Sequence, residues 1–131
     1  MTLTKSNSRT LGWLASFTFL SWLGMILHNA QELPQLTLLS PEELYPTLVY
    51  VALLLTYVFL PWKRALLILL LVWALLHLIG GGILTVIPFP FLPFYPEQTV
   101  SHYLAHVVYS VAQLPLLVFL SRRLRVEQVK S

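Results

Sequence analysis

Along the chain, long apolar runs alternate with short stretches rich in proline, charge and amide side chains. Four runs reach the length a helix needs to cross a hydrocarbon core, roughly 20 residues at about 1.5 Å each. They are Leu11 to Glu32, Leu44 to Trp62, Ala65 to Ile87 and Thr99 to Ser121. Eight of the nine prolines (Pro34, Pro41, Pro46, Pro61, Pro88, Pro90, Pro93, Pro96) fall between these runs or at their edges, as suits a residue that lacks an amide donor and breaks helices. The pattern predicts an all-α, four-transmembrane-helix bundle with helices over 11–32, 44–62, 65–87 and 99–121. These form a single integral membrane domain over residues 1–131. The first run has a basic lead-in like a signal peptide, but His28, Asn29, Ala30 and Gln31 offer no small-x-small cleavage pattern, so it reads as a retained helix. The outer turn PFPFLPFYPEQ is expected to be extended by its prolines and held at the headgroups by its aromatic rings.

Composition agrees with the pattern. Hydrophobic residues make up 57% of the chain, charged residues 10%, and the mean hydropathy is +0.76, whereas a soluble domain carries about a quarter charged residues. A globule of 131 residues cannot hide that much apolar surface from water, so lipid must cover it. The formal charge of +3 does not point to nucleic acid, because the basic residues sit in small clusters at the ends of apolar runs. Lys5 and Arg9 precede the first helix, Lys63 and Arg64 join the second to the third, and Arg122, Arg123, Arg125 and Lys130 follow the fourth. All eight therefore lie on one side, while Glu32, Glu42, Glu43 and Glu97 lie on the other and only Glu127 accompanies the basic residues. The positive-inside rule then makes both termini cytoplasmic, in a membrane such as the bacterial inner (plasma) membrane. The absence of cysteine excludes disulfides, thiolate metal sites and Cys nucleophiles.

The chemistry is concentrated in the outer half. His28 and His102 lie within about one or two turns of the outer helix ends and His77 and His106 deeper, roughly 10 to 15 Å in from those ends, and intramembrane ionisable groups are costly enough to suggest function. His28 and Glu32 are four residues apart, as are His102 and His106, so each pair shares one helix face at a spacing that can grip one ion. On the fourth helix the stripe continues through Tyr109 and Gln113, and on the first Ser21, Gly24, His28 and Glu32 form a matching line. Both faces are expected to look inward. Gly80, Gly81 and Gly82, one turn after His77, permit a close helix approach or a local break near the site.

Neutral imidazoles with a carboxylate suit zinc, iron or copper. The expected metal ligands are His28, Glu32, His77, His102 and His106, converging on one centre, with Glu32 and Tyr109 as the groups that would act in catalysis. Haem b is an alternative, with His77 and His106 as axial ligands and no CxxCH for covalent attachment. A third reading needs no cofactor and uses a His and Glu pair as acid and base on a lipid-like substrate. The remaining reading is a purely structural subunit, in contact with lipid and with other membrane subunits or further copies of itself, in which His77 only bridges helices and Glu32 is the polar end of its helix. Trp13, Trp22, Trp62 and Trp73 read as interfacial belts and packing. Tyr50 and Tyr57, seven apart, face the same interior or pack, Glu42 and Glu43 mark the start of the second helix, and Glu97 is solvated.

At LHNAQEL the chain resembles the HxxEE-motif family of small four-helix membrane proteins. His28, Asn29 and Glu32 match its first-helix motif, with Gln31 in place of the first Glu, and His77, Leu78, Ile79 and Gly80 match its later His-Ile-Gly-like element. The resemblance implies a four-helix architecture and a His/Glu site, and no particular reaction. The His28 to Glu32 spacing is also similar to that of the sterol-isomerase-like membrane family, where His and Glu transfer protons.

Overall fold

A computed structural model describes residues 5–129 of the chain. The described residues contain helices and no strand: α1 (Lys5–Glu32), α2 (Pro41–Phe59), α3 (Lys63–Leu75) and α4 (Val100–Val129). The third span continues beyond α3 through a π-helical stretch, Leu76–Ile83, and one 3-10 turn, Leu84–Val86. Counted that way, all four are long and apolar enough to cross a membrane. Even α2, with 19 residues, extends about 28 Å against a hydrocarbon core of about 30 Å.

The helix ends differ from the expected ones for local reasons. α2 starts earlier, at Pro41, where a missing amide costs nothing because the first helical amides have no partner. Glu42 and Glu43 occupy its first turn, where negative charge complements the helix dipole. It ends at Phe59 because Leu60, ahead of Pro61, is forced into the extended region at φ −95° and ψ 149°. The Lys63 ammonium then donates to the carbonyls of Tyr57 and of Val58, the latter at 3.1 Å, and covers acceptors the helix end leaves free. Two prolines lie inside helices, Pro115 in α4 and also Pro46 in α2, so Pro46 does not mark an edge as the pattern suggested. α1 and α4 both extend past their apolar cores into polar sequence, from Lys5 and to Val129.

Adjacent helices run antiparallel. Trp22 Nε1 of α1 donates to Thr47 Oγ1 of α2 at 2.8 Å, the Tyr50 and Trp73 rings of α2 and α3 meet edge to face at 5.9 Å, and Glu32 at the end of α1 reaches His102 at the start of α4. Hence α1 begins and α4 ends at the end of the bundle that carries the α2–α3 turn with Lys63 and Arg64. The interior has two halves. Towards that basic end it is apolar, built of Leu14, Leu67, Leu70, Ala74, Leu116 and Leu120. Towards the other end it is polar, with Ser21, Tyr50, His102, His106, Tyr109 and Gln113 all buried. The outside of α4, by contrast, exposes Leu104, Val107, Val111, Leu114 and Val118, the inversion expected where lipid is the solvent. Burial from water does not hold helices together in lipid, so close packing and interhelical hydrogen bonds must.

The proline-rich connection 87–99 has no regular structure beyond bends and a turn. Phe91, Phe94 and Tyr95 are exposed on it. Gln98 anchors it, donating to Val86 O at 3.1 Å and accepting from the Tyr103 hydroxyl at 2.6 Å.

Candidate functional site

The site is a polar seam where α1 faces α4, the most extensive helix pairing in the bundle. Helical spacing creates it. The stripe Ser21, Gly24, His28, Glu32 on α1 runs antiparallel to His102, His106, Tyr109, Gln113 on α4, and the two mesh rung by rung. Glu32 Oε2 accepts from His102 Nδ1 in a close contact. One turn deeper, His28 Nε2 and His106 Nε2 stand 3.2 Å apart. Next comes Gly24, where a Cβ would collide with that of Ala112 and lie 3.6 Å from Tyr109 O. At the bottom rung the Gln113 amide donates to Ser21 O at 3.1 Å, and its oxygen accepts from the Ser21 hydroxyl, which also lies 2.7 Å from the Tyr50 hydroxyl. Glycine at 24 is therefore what lets the backbones approach closely enough for the rungs on either side to form.

The third span joins through its π-helical stretch, a geometry in which the backbone ladder is locally widened. It places His77 Nδ1 against the Tyr109 hydroxyl and Gly82 O 3.1 Å from His106 Nδ1. The approach of α4 is made at Gly81, where a Cβ would sit 2.7 Å from the Tyr109 hydroxyl, and at Gly82, where it would collide with Ser110 Oγ. Gly80 has open space around its α-carbon and takes no part.

The hydrogen-bond partners assign the protons on three rings. A carbonyl, amide or carboxylate oxygen accepts and does not donate. His28 Nδ1 faces Asn29 Oδ1 at 2.9 Å, His102 Nδ1 faces the Glu32 carboxylate, and His106 Nδ1 faces Gly82 O. Each Nδ1 therefore carries a hydrogen, and each neutral ring presents a bare lone pair at Nε2. The Nε2 atoms of His28 and His106 lie 3.2 Å apart, with the two rings edge to face and their centroids 4.5 Å apart. The third, His102 Nε2, is buried with no hydrogen-bond partner among the described residues, and its ring packs against that of His106 with centroids 4.5 Å apart.

The expected ligands thus meet in two groups. Glu32, His102, His106 and His28 form a chain of contacts in that order, whereas His77 is separated from His28 by the Tyr109 ring, which stacks on His28 at 5.1 Å and meets His77 edge-on at 6.0 Å. Among the described residues, no group of three or more His, Asp or Glu side chains is placed to hold a metal ion. The five do not share one centre as they stand. Glu32 lies behind His102, in the position of an orienting carboxylate. Of the two tyrosines spaced seven apart, Tyr50 enters the seam while Tyr57 packs against the apolar core.

One residue read only as a helix start has a second character. Glu43 is buried at 4% exposure, and its Oε2 has no hydrogen-bond partner among the described residues. It lies on the same face of α2 as Tyr50, the other buried residue of that helix. The seven-residue spacing from Glu43 to Tyr50 was the available sign, since it puts both on one helical face. Access to the seam is through a cleft of about 110 Å³ between the outer parts of α1 and α4, lined by Leu27, His28, Gln31, Leu104, Ala105 and Val108. No protein-family model, curated protein or solved structure matches the chain significantly.

Proposed function

We propose that this small membrane protein binds a divalent transition metal, zinc, iron or copper, between His28 and His106, with His102 as the third ligand and Glu32 as the carboxylate that orients it. The single observation that carries this reading is the close approach of the His28 and His106 Nε2 atoms while each Nδ1 faces an oxygen acceptor. Two bare lone pairs 3.2 Å apart repel unless a cation lies between them, and two nitrogens on a tetrahedral ion with bonds of about 2.0 Å are separated by about 3.3 Å. The three Nδ1 contacts support it further, because metal-binding imidazoles ordinarily donate their other N–H to a carboxylate or carbonyl. His102 would have to turn its Nε2 towards the pair to complete the set. The HxxEE resemblance at His28, Asn29 and Glu32 belongs with this reading, as does a location in the bacterial inner membrane with the basic end cytoplasmic.

A second reading explains the same observation. One proton shared by His28 and His106 also relieves the lone-pair conflict, and the cleft beside His28 opens towards lipid. The seam would then be a cofactor-free acid–base site for a lipid-like substrate, with Glu32 and Tyr109 at its two ends. Haem b between His77 and His106 fits less well, since His77 Nδ1 meets the Tyr109 hydroxyl and the Tyr109 ring lies edge-on against His77.

Elemental analysis and an absorption spectrum of the detergent-purified protein separate these readings. About one metal ion per chain is expected, released on acidification through the reference imidazole range around pH ~6.5 and absent in His106→Ala and His28→Ala. Glu127→Ala, at the opposite end, retains it. Failure to bind added zinc, iron or copper would leave the acid–base reading, a Soret band would favour haem, and neither metal nor turnover would leave a structural subunit.

A further inference from the structure

At the opposite, basic end of the bundle, two apolar troughs flank α4. The first, of about 590 Å³, runs between α4 and Phe17 of α1 and is lined along α4 from Val111 through Val118 to Arg122, Arg123 and Val126. The second, of about 370 Å³, runs between α4 and the Leu71 and Leu75 side of α3 and ends at Ser121, Arg122 and Arg125. Val118 and Arg122 line both troughs. They form a ridge between two apolar channels, with a guanidinium at its end.

We propose that this ridge is a binding site for one anionic diacyl phospholipid, with an acyl chain in each trough and the phosphate at Arg122. Three observations fix the class of ligand. The first is length. From Arg122 back to Val111 is about 16 Å along the helix axis, which matches one leaflet of a hydrocarbon core about 30 Å thick. The second is charge. Arg122, Arg123 and Arg125 are opposed along this stretch only by Glu127, whose Oε1 lies 3.6 Å from Arg123 Nε, and that Nε is buried without a hydrogen-bond partner among the described residues. The third is arrangement. A single headgroup joining two chains is what two apolar channels converging on one cation can accept, whereas a free phosphate would leave both channels unused. The site is independent of the histidine seam and does not rest on the function proposed for it.

The test is the association of spin-labelled lipids with the full chain reconstituted in phosphatidylcholine vesicles. Labelled phosphatidylglycerol should be held about five-fold more strongly than labelled phosphatidylcholine, which corresponds to about 1 kcal/mol for one basic residue at the surface. Arg122→Gln should bring the two lipids to parity, Arg122→Lys should keep most of the preference, and Arg64→Gln, at the same end but outside the troughs, should leave it unchanged. Val118→Trp, which broadens the ridge and keeps every charge, should also abolish it, and serves if Arg122→Gln does not fold. Equal retention of both lipids by the unaltered protein would overturn the proposal, as would a preference that survives both Arg122→Gln and Val118→Trp. A preference that inorganic phosphate abolishes while Val118→Trp leaves it unchanged would also overturn the proposal, by showing an anion site that does not use the troughs.

Discussion

At the scale of single residues, hydrogen-bond direction determines what the seam can do. Glu32 fixes the His102 proton on Nδ1 and so keeps its Nε2 free, but it does not itself reach the facing pair. Removing such an orienting carboxylate typically lowers metal affinity 10- to 100-fold. Glu32→Ala should therefore weaken metal binding by about that factor where His106→Ala eliminates it, as read by titration with a competing chelator; equal losses would make Glu32 a direct ligand. Deeper in the seam, Gln113 is fully buried at 0% exposure and joins Ser21 to the Tyr109 carbonyl. Gln113→Leu should cost about 1 to 2 kcal/mol, nearer the low end because membrane hydrogen bonds average well below their nominal strength. In thermal unfolding in detergent, its effect and that of Ser21→Ala should add to less than their sum, because the two side chains share a bond. The i to i+4 pairs on α1 and α4 were legible in the sequence because helical spacing alone puts them on one face. The proton on each imidazole was not, since it depends on Gly82 O and on Glu32, contributed by other helices.

At the scale of elements, the third span shows where a pattern stops being informative. Its apolar run predicts a helix, and a helix is there, but it widens to π geometry over Leu76–Ile83, the stretch that holds the glycine triplet and meets Tyr109, His106 and Ser110. The glycine triplet correctly indicated a close approach without telling which glycine makes it. Gly81 and Gly82 meet α4, and Gly80 does not. Gly81→Leu should therefore destabilise the fold by an overpacking cost of about 1 to 3 kcal/mol and displace Tyr109 from His77, whereas Gly80→Ala should be neutral or slightly stabilising through helix propensity. Thermal unfolding in detergent separates them, and equal midpoints for Gly81→Leu and the unaltered protein would place α4 farther away than it is. Proline misleads in the same region of inference. Pro115 and Pro46 sit within helices because neighbouring side chains in a bundle can compensate for a missing amide, a tolerance typical of membrane helices.

At the scale of the whole molecule, polarity is sorted along the bundle axis as well as across it. The buried imidazoles and Gln113 occupy one half of the interior, the leucine core the other, and the Lys63–Arg64 turn and the Arg122–Arg125 stretch both lie at the leucine end. The order of helices makes this possible, because antiparallel neighbours return every basic cluster to the same end. The orientation proposed above, with the basic end cytoplasmic, rests on that asymmetry, since short basic segments are retained on the cytoplasmic side and acidic residues contribute little. A reporter joined after α4 should accordingly be active only in its cytoplasmic form, and one inserted between Leu36 and Leu39, in the connection that follows Glu32, only in its exported form. Both fusions probe one physical quantity, the side on which the arginines settle. If the signals reverse together, the bundle keeps its internal geometry but opens the cleft at His28 to the cytoplasm, and if they agree with each other in sign, α1 and α4 do not cross the bilayer as an antiparallel pair.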